Sequence, residues 1–332
     1  MKIKILLSAL LTAFMLFSCG EKKNTAPEKR KVTTFSNGRI NTINVVMESD
    51  QWKGEVGDSL RAVLASPTLG LPTDEPLFSI KQLSEQTFTG FQREKRLILE
   101  VRQSDTTGVA FKKNVYAIPQ TVVVVSGPDD AAVAKALSEN EAQIVATLKA
   151  QELNERQRQI SKNLQRTDSL EKVMGVSLKF PTAYRYAAQT EDFFWMTKDL
   201  KIGEMNIMVY EVPLYAIDKD TNTIARIVRM RDSVGSRKIP VDGGKFITQT
   251  DFSPYLQKTT LDGLPAWETR GLWEVDKQSM GGPFVNFAIK DEKRNRYLVL
   301  EGFIHSPSLD KRDNMLELDA ILKTAKISTP EK

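Results

Sequence analysis

One cysteine and one histidine occur in 332 residues. A lone cysteine excludes any disulfide within the chain, so stability must come from a packed core. A lone histidine, His305, excludes the HExxH helix and every multi-histidine zinc site. No GxxxxGK(S/T) or GxGxxG loop is present to cradle phosphates, and no cofactor is expected. Charge is nearly balanced, 47 basic against 42 acidic residues with a net of +5, which does not point to nucleic acid. The uncharged run Ile5–Phe17 is shorter than the ~20 residues of a membrane-spanning helix.

What that run does suit is the apolar region of a secretory leader, with Lys2 and Lys4 before it. It ends in Leu16-Phe17-Ser18-Cys19-Gly20, which resembles a bacterial lipobox. The resemblance implies cleavage after residue 18 and a diacylglycerol thioether on Cys19. With roughly 0.8 kcal/mol per buried CH₂, two or three acyl chains make an anchor that hardly dissociates. Loss of Lys2 and Lys4 with a leader that carries no acid takes the net charge from +5 to about +3. The lipid bilayer is therefore the expected partner through Cys19, with another envelope protein or a glycan as a second. The outer membrane is the expected site, on its periplasmic face, since few acids follow the cysteine.

Residues 19–38 read as the lipidated cysteine and a polar tether, because Glu21 to Asn37 has no apolar period. Such a segment reaches roughly 20–25 Å. Strands are expected at Ile40–Met47, Phe78–Leu83, Arg96–Arg102 and Val115–Ser126, with a helix over Asp50–Ala65. Val122–Val125 reads as a central strand buried on both faces. Asp129 is a candidate N-cap for a long helical stretch running to about Val173. Further strands are expected at Val176–Phe180, Phe193–Met196, Met205–Val212, Leu264–Val275, Phe284–Ile289 and Tyr297–Phe303. Helices are expected at Thr221–Ser233 and Pro307–Lys326. The fold class is α+β, with two domains, each a mainly antiparallel sheet covered by helices, joined by a long helix. The expected boundaries are 39–150 for the first domain, 151–173 for the connecting helix and 174–328 for the second. Both halves close on an apolar strand, a Pro-containing turn and a capped helix, which raises an internal duplication.

QWKGEVGDSLRAVLASPTLGLPTDEPLFSI near the start resembles an uncharacterised family of Bacteroidetes lipoproteins, a domain of unknown function. So do LPAWETRGLWEV and GGPFVNFAIKDEKRNRYLVLEGFIHSPSLDKRDNMLELDAIL further on. The resemblance implies an envelope lipoprotein and brings no catalytic residues with it. The C-terminal half is loosely similar to the PsbP-like and Mog1-like α/β/α sandwiches, folds that imply accessory or binding roles only by analogy.

The chemistry-bearing motifs are incomplete. Asp218, Asp220 and Asn222 have calcium-loop spacing, but Thr223 and Arg229 replace the required Gly and Glu, so a turn and N-cap are expected. Ser169–Lys172 and Ser308–Lys311 lack the companion tripeptides of the penicillin-binding enzymes. His305 is a strand-end residue. Glu268, Glu274 and Glu301 beside Trp267 and Trp273 are the enzymatic alternative, a carboxylate-based hydrolase of envelope glycans. Strand alternation also explains them, with Glu268, Arg270 and Glu274 on one wet sheet face. Arg226, Arg229, Arg231, Arg237 and Lys238 form a basic helix suited to anionic headgroups or acidic glycans. Asp-(Ser/Thr) triplets at Ser59, Thr106, Ser169 and Ser233 resemble the O-glycosylation motif of Bacteroidetes envelope proteins. The leading expectation is a non-catalytic, membrane-anchored binding or accessory component.

Overall fold

Two large β-sheets, built from separate halves of the chain, share helices between them. The computed structural model describes residues 34–328. The leader, Cys19 and the tether through Thr33 lie outside the described residues.

The first sheet has five strands: β1 Thr42–Val46, β2 Ser79–Leu83, β3 Leu97–Gln103, β4 Gly108–Lys113 and β5 Thr121–Gly127. Their order is β2-β1-β3-β5-β4. β1 runs parallel to β2 and β3, and β3 parallel to β5; β4 alone is antiparallel. The α+β class holds, but this corrects the expectation of a mainly antiparallel first sheet. The reason is the connections. α1 (Ser49–Lys53) and α2 (Glu55–Leu64) carry the chain back between β1 and β2, so the next strand starts from the same end. Residues 97–101 and 121–125 are buried without alternation, as parallel strands covered on both faces require. Val56, Leu60, Val63 and Leu64 of α2 pack on one face with Leu97, Leu99, Val123 and Val125. Phe88 covers Ile98, Val122 and Val124 on the other.

α3 (Asp130–Glu139) starts at Asp129, whose side chain accepts from Ala132 N at 2.8 Å. α4 (Glu141–Ile160) follows. Its first half lends Ile144 and Leu148 to the first core, and its end lends Ile160 to the second. The helix does not continue to Val173. Beyond Ile160 the backbone pairs with residues 180–182 instead, Gln165 N donating to Phe180 O at 2.9 Å. α5 (Asp168–Met174) is a separate short helix.

β6 (Val176–Ser177) pairs with the final β15 (Lys326–Ile327). The second sheet comprises β7 Arg185–Gln189, β8 Phe193–Asp199, β9 Glu204–Pro213, β10 Phe246–Thr248, β11 Tyr255–Leu261, β12 Leu264–Val275, β13 Gly281–Asp291 and β14 Arg296–His305. Its order is β10-β12-β13-β14-β9-β8-β7, with β11 on another stretch of β12, and every ladder is antiparallel. This differs too much from the first sheet to support an internal duplication.

Between β9 and β10 lie α6 (Tyr215–Asp218) and α7 (Thr223–Lys238); α8 (Arg312–Leu322) follows β14. Alternation sorts the strands. Met208, Tyr210, Trp273, Phe284 and Phe303 face α7, meeting Ile227, Met230 and Val234. Val285, Phe287, Leu300 and Ile304 face α8, meeting Met315, Leu318, Ile321 and Leu322. Helices therefore cover both faces. The wet face expected around Glu268 and Arg270 is covered, because α8 crosses it and brings Asp319 to Arg270 at 2.6 Å.

Candidate functional site

The halves are bolted together by polar contacts around α8. Lys311, at its N-cap position, offers no side-chain cap. Glu75, from the loop before β2, takes that role, accepting from Lys311 N at 2.8 Å and Arg312 N at 2.8 Å. A carboxylate there also meets the positive end of the helix dipole. Asn41 lies in the left-handed region at φ 52°, which asparagine tolerates. Its Nδ2 donates to Asp313 Oδ1 at 2.8 Å, and its backbone N donates to Glu152 Oε2 at 2.6 Å. Glu152 is fully buried and ion-paired to Arg96 at 2.6 Å.

Where these segments meet they leave a cavity of about 600 Å³. Its apolar wall includes Leu69, Leu71 and Leu77 of the loop before β2, Leu153 of α4, Leu256 of β11 and Met315 of α8. Leu69 and Tyr255 stand at its edge with 57% and 46% of their surfaces exposed. Gly70 makes the loop's approach possible. It sits at φ +79°, and a Cβ there would come within 3.0 Å of Arg270 Cβ.

Charged groups line the remainder: Lys149, Arg270, Arg312 and Lys323 against Glu268 and Asp319. Arg270 is clamped, Nε to Glu268 Oε1 at 2.7 Å and Nη2 to Asp319 Oδ1 at 2.6 Å. Burial works against its charge, but Asp319 and Glu268 outweigh burial and push its pKa up. Arg312 donates to Pro76 O at 2.7 Å and to Asp313 Oδ1 at 2.9 Å. Lys149 differs. Its Nζ donates to two neutral oxygens, Asn41 Oδ1 at 2.9 Å and Leu77 O at 2.7 Å, and lies 4.4 Å from the Phe78 ring centroid. Burial, and then the neighbouring Arg312 charge, pull its pKa from 10.5 to about 8, against Asp313, Glu152 and Asp319. It is still mostly protonated at neutral pH.

The carboxylates of the hydrolase alternative do not converge. Glu268 pairs across the sheet with Phe287, on the α8 face. Glu301 pairs with Asn286; on the opposite face its Oε1 meets Arg231 of α7 and its Oε2 accepts from Asn286 Nδ2. Glu274 shares the Glu268 face but lies six residues along β12, roughly 20 Å away. Glycosidase pairs stand roughly 5–10 Å apart. Among the described residues no group of His, Cys, Asp and Glu is placed to hold a metal ion. Asp220 and Asn222 form a turn and cap: Asn222 Oδ1 accepts from Ala225 N at 3.1 Å. His305 ends β14, its ring 6.2 Å from that of Trp273.

The basic helix is α7, and Arg231 must be removed from its expected anionic-surface contacts. It is 1% exposed, because its guanidinium ties α7 to the sheet beneath. It bonds Glu301 at 2.8 Å and Thr248 Oγ1 at 2.9 Å, and lies 3.7 Å over the Phe284 ring. Burial pushes the Glu301 carboxyl above its ordinary pKa, with Arg231 and Asn286 opposing. Arg229 and Arg237 are exposed, Arg226 is half-buried against the carbonyls of Tyr215 and Ala216, and Lys238 pairs with Asp192 at 2.8 Å. Arg226, Arg229 and Arg237 line a shallow groove of about 290 Å³ beside Tyr215.

Of the glycosylation candidates, Thr106 is exposed in the β3–β4 turn, while Ser59, Ser169 and Ser233 lie within α2, α5 and α7. Ser169 is occupied by a hydrogen bond to Gln189 at 2.9 Å. Cys19 lies outside the described residues. Among the described residues no helix is long and apolar enough to cross a membrane.

Lys149 escaped the sequence analysis. The available signal was its place in the line Val145–Lys149–Leu153, a charge interrupting an apolar stripe at helical spacing.

Comparison with known proteins gives no activity. No curated protein matches the chain in sequence. Among the solved structures that resemble it weakly are two proteins. One is the Saccharomyces cerevisiae Ran-binding protein Mog1p, with 10% identity, 46% of this chain and 90% of that chain covered, and a TM-score of 0.32. The other is LpqN of Mycobacterium tuberculosis, a protein involved in cell envelope biogenesis, with 15% identity, 46% and 83% covered, and a TM-score of 0.28. Residues 36–161 match a domain of unknown function, DUF8532, and residues 163–324 match another, DUF4837.

Proposed function

We propose that this chain is a lipid-anchored component of the cell envelope, of the Bacteroidetes lipoprotein type, that acts by binding. One observation carries the reading: the cavity between the two sheets has the size of a small-molecule site, roughly 300–1,000 Å³. Its carboxylates, Glu268 and Asp319, are held in ion pairs with Arg270. The lipobox residues Leu16 to Gly20 supply the anchor. The outer membrane, periplasmic face, is the proposed location. The exposed Arg229 and Arg237 of α7 are the proposed contact to anionic headgroups or an acidic glycan, and an envelope protein is the other proposed partner.

The test is fractionation of cells expressing the full chain, with and without Cys19→Ser, followed by cross-linking in intact cells. The wild type should sediment with membranes and the variant should not. Cross-links should recover a stoichiometric envelope component. Release of glycan fragments by the purified protein, or a soluble wild type, would count against the reading.

A further inference from the structure

We propose that the cavity takes an amphipathic organic anion, its carboxylate or phosphate head on Lys149 and its apolar body against Leu69, Leu71, Leu256 and Tyr255. This rests on the reading of the cavity as a binding site and names the ligand class.

The argument starts from what Lys149 lacks. An ammonium has three N–H donors, and two are used on Asn41 Oδ1 and Leu77 O. Neither acceptor carries charge. Three carboxylates are near enough to act on it, and each is engaged elsewhere. Asp313 accepts from Asn41 and Arg312, Glu152 from Arg96 and the Asn41 backbone, and Asp319 from Arg270. The cation is thus half-buried at the wall of an accessible cavity, with no carboxylate within ion-pair distance among the described residues. Keeping a partly desolvated charge unpaired is unfavourable unless something else neutralises it.

The surroundings choose the sign and shape of that partner. Arg312 lies beside Lys149, and the exposed Lys323 on the same lining also has no ion pair among the described residues. A cationic ligand would meet like charge. The leucines and Tyr255 leave a larger apolar surface than one small anion would cover, so head and body must be chemically distinct. Binding of an anion would also raise the Lys149 pKa back toward its ordinary value, which couples affinity to pH near 8.

The experiment is calorimetric titration of the full chain carrying Cys19→Ser, so that no attached lipid competes. Four probes share one tail: decanoate, decyl phosphate, decanol and decyltrimethylammonium. Decanoate or decyl phosphate should saturate one site per chain, and their ratio separates carboxylate from phosphate recognition. Lys149→Met should weaken the anions at least tenfold, with circular dichroism confirming the fold. Lys149→Arg should restore part of the loss. Wild-type affinity for decanoate should fall as pH rises from 7 to 9. Equal binding of anion, alcohol and cation, or anion binding untouched by Lys149→Met, would overturn the anion assignment while leaving a binding cavity. Failure of all four probes to bind would refute the cavity as a site for amphiphiles altogether.

Discussion

Replacing Lys149 with methionine should make the empty protein more stable while removing its ligand contact. The lysine pKa stands at about 8 in the fold against 10.5 ordinarily. A difference of that size corresponds to about 3 kcal/mol at about 1.4 kcal/mol per unit. The folded state therefore binds fewer protons than the unfolded chain between about 8 and 10.5. Stability rises with pH across that window, and below it the half-buried charge carries the full penalty. Methionine has similar reach and no charge, so it relieves the penalty. It also leaves Asn41 Oδ1 and Leu77 O without a donor, at about 1 kcal/mol each. The net expectation at pH 7 is a gain of about 1 kcal/mol, read as a higher urea midpoint at unchanged m-value. The wild type should overtake the variant as pH climbs from 8 to 10.5. A variant that is less stable at pH 7 by 2 kcal/mol or more, with the same pH slope as wild type, would refute the reasoning. The trade follows a general pattern in which binding sites hold groups that the fold alone would not retain.

Three other perturbations test the frame around the cavity. Arg231→Met leaves Glu301 buried without its cation and should cost about 3–5 kcal/mol in urea unfolding; adding Glu301→Leu should recover part of that loss. Glu75→Ala removes the only side-chain acceptor at the α8 N-terminus among the described residues and should cost about 1–2 kcal/mol. Faster amide exchange at Lys311 and Arg312 is its specific signature. Arg229→Glu with Arg237→Glu reverses two exposed charges on α7 and should weaken flotation with anionic vesicles at least tenfold at low salt, with the melting curve unchanged.

The sequence was readable where one rule dominates. β12 runs over the expected residues Leu264–Val275, because strict alternation separates Trp273 and Val275 from Glu268 and Arg270. Asp129 and Asn222 were readable as caps because a short acceptor before an apolar period has one cheap use. Strands β4, β7, β10, β11 and β15 escaped. GVAFKK is a short edge strand, and YLQKTTL has little apolar alternation to show. Strand direction in the first sheet escaped too, since crossover connections decide it and local pattern does not. Arg231 looks like its neighbours in sequence; only Glu301, 70 residues away, makes it a core residue. The cavity was invisible for the same reason. Asn41, Leu71, Lys149, Arg270 and Arg312 come from five separate segments, and no spacing rule links them.

The most direct test of the binding reading is to purify the full, lipidated chain from its own envelope alongside Lys149→Met. Non-covalent ligands would be extracted into organic solvent and compared by mass spectrometry. The expected result is an anionic amphiphile near one per chain in the wild type and strongly depleted in the variant. Identical extracts from the two proteins would contradict it.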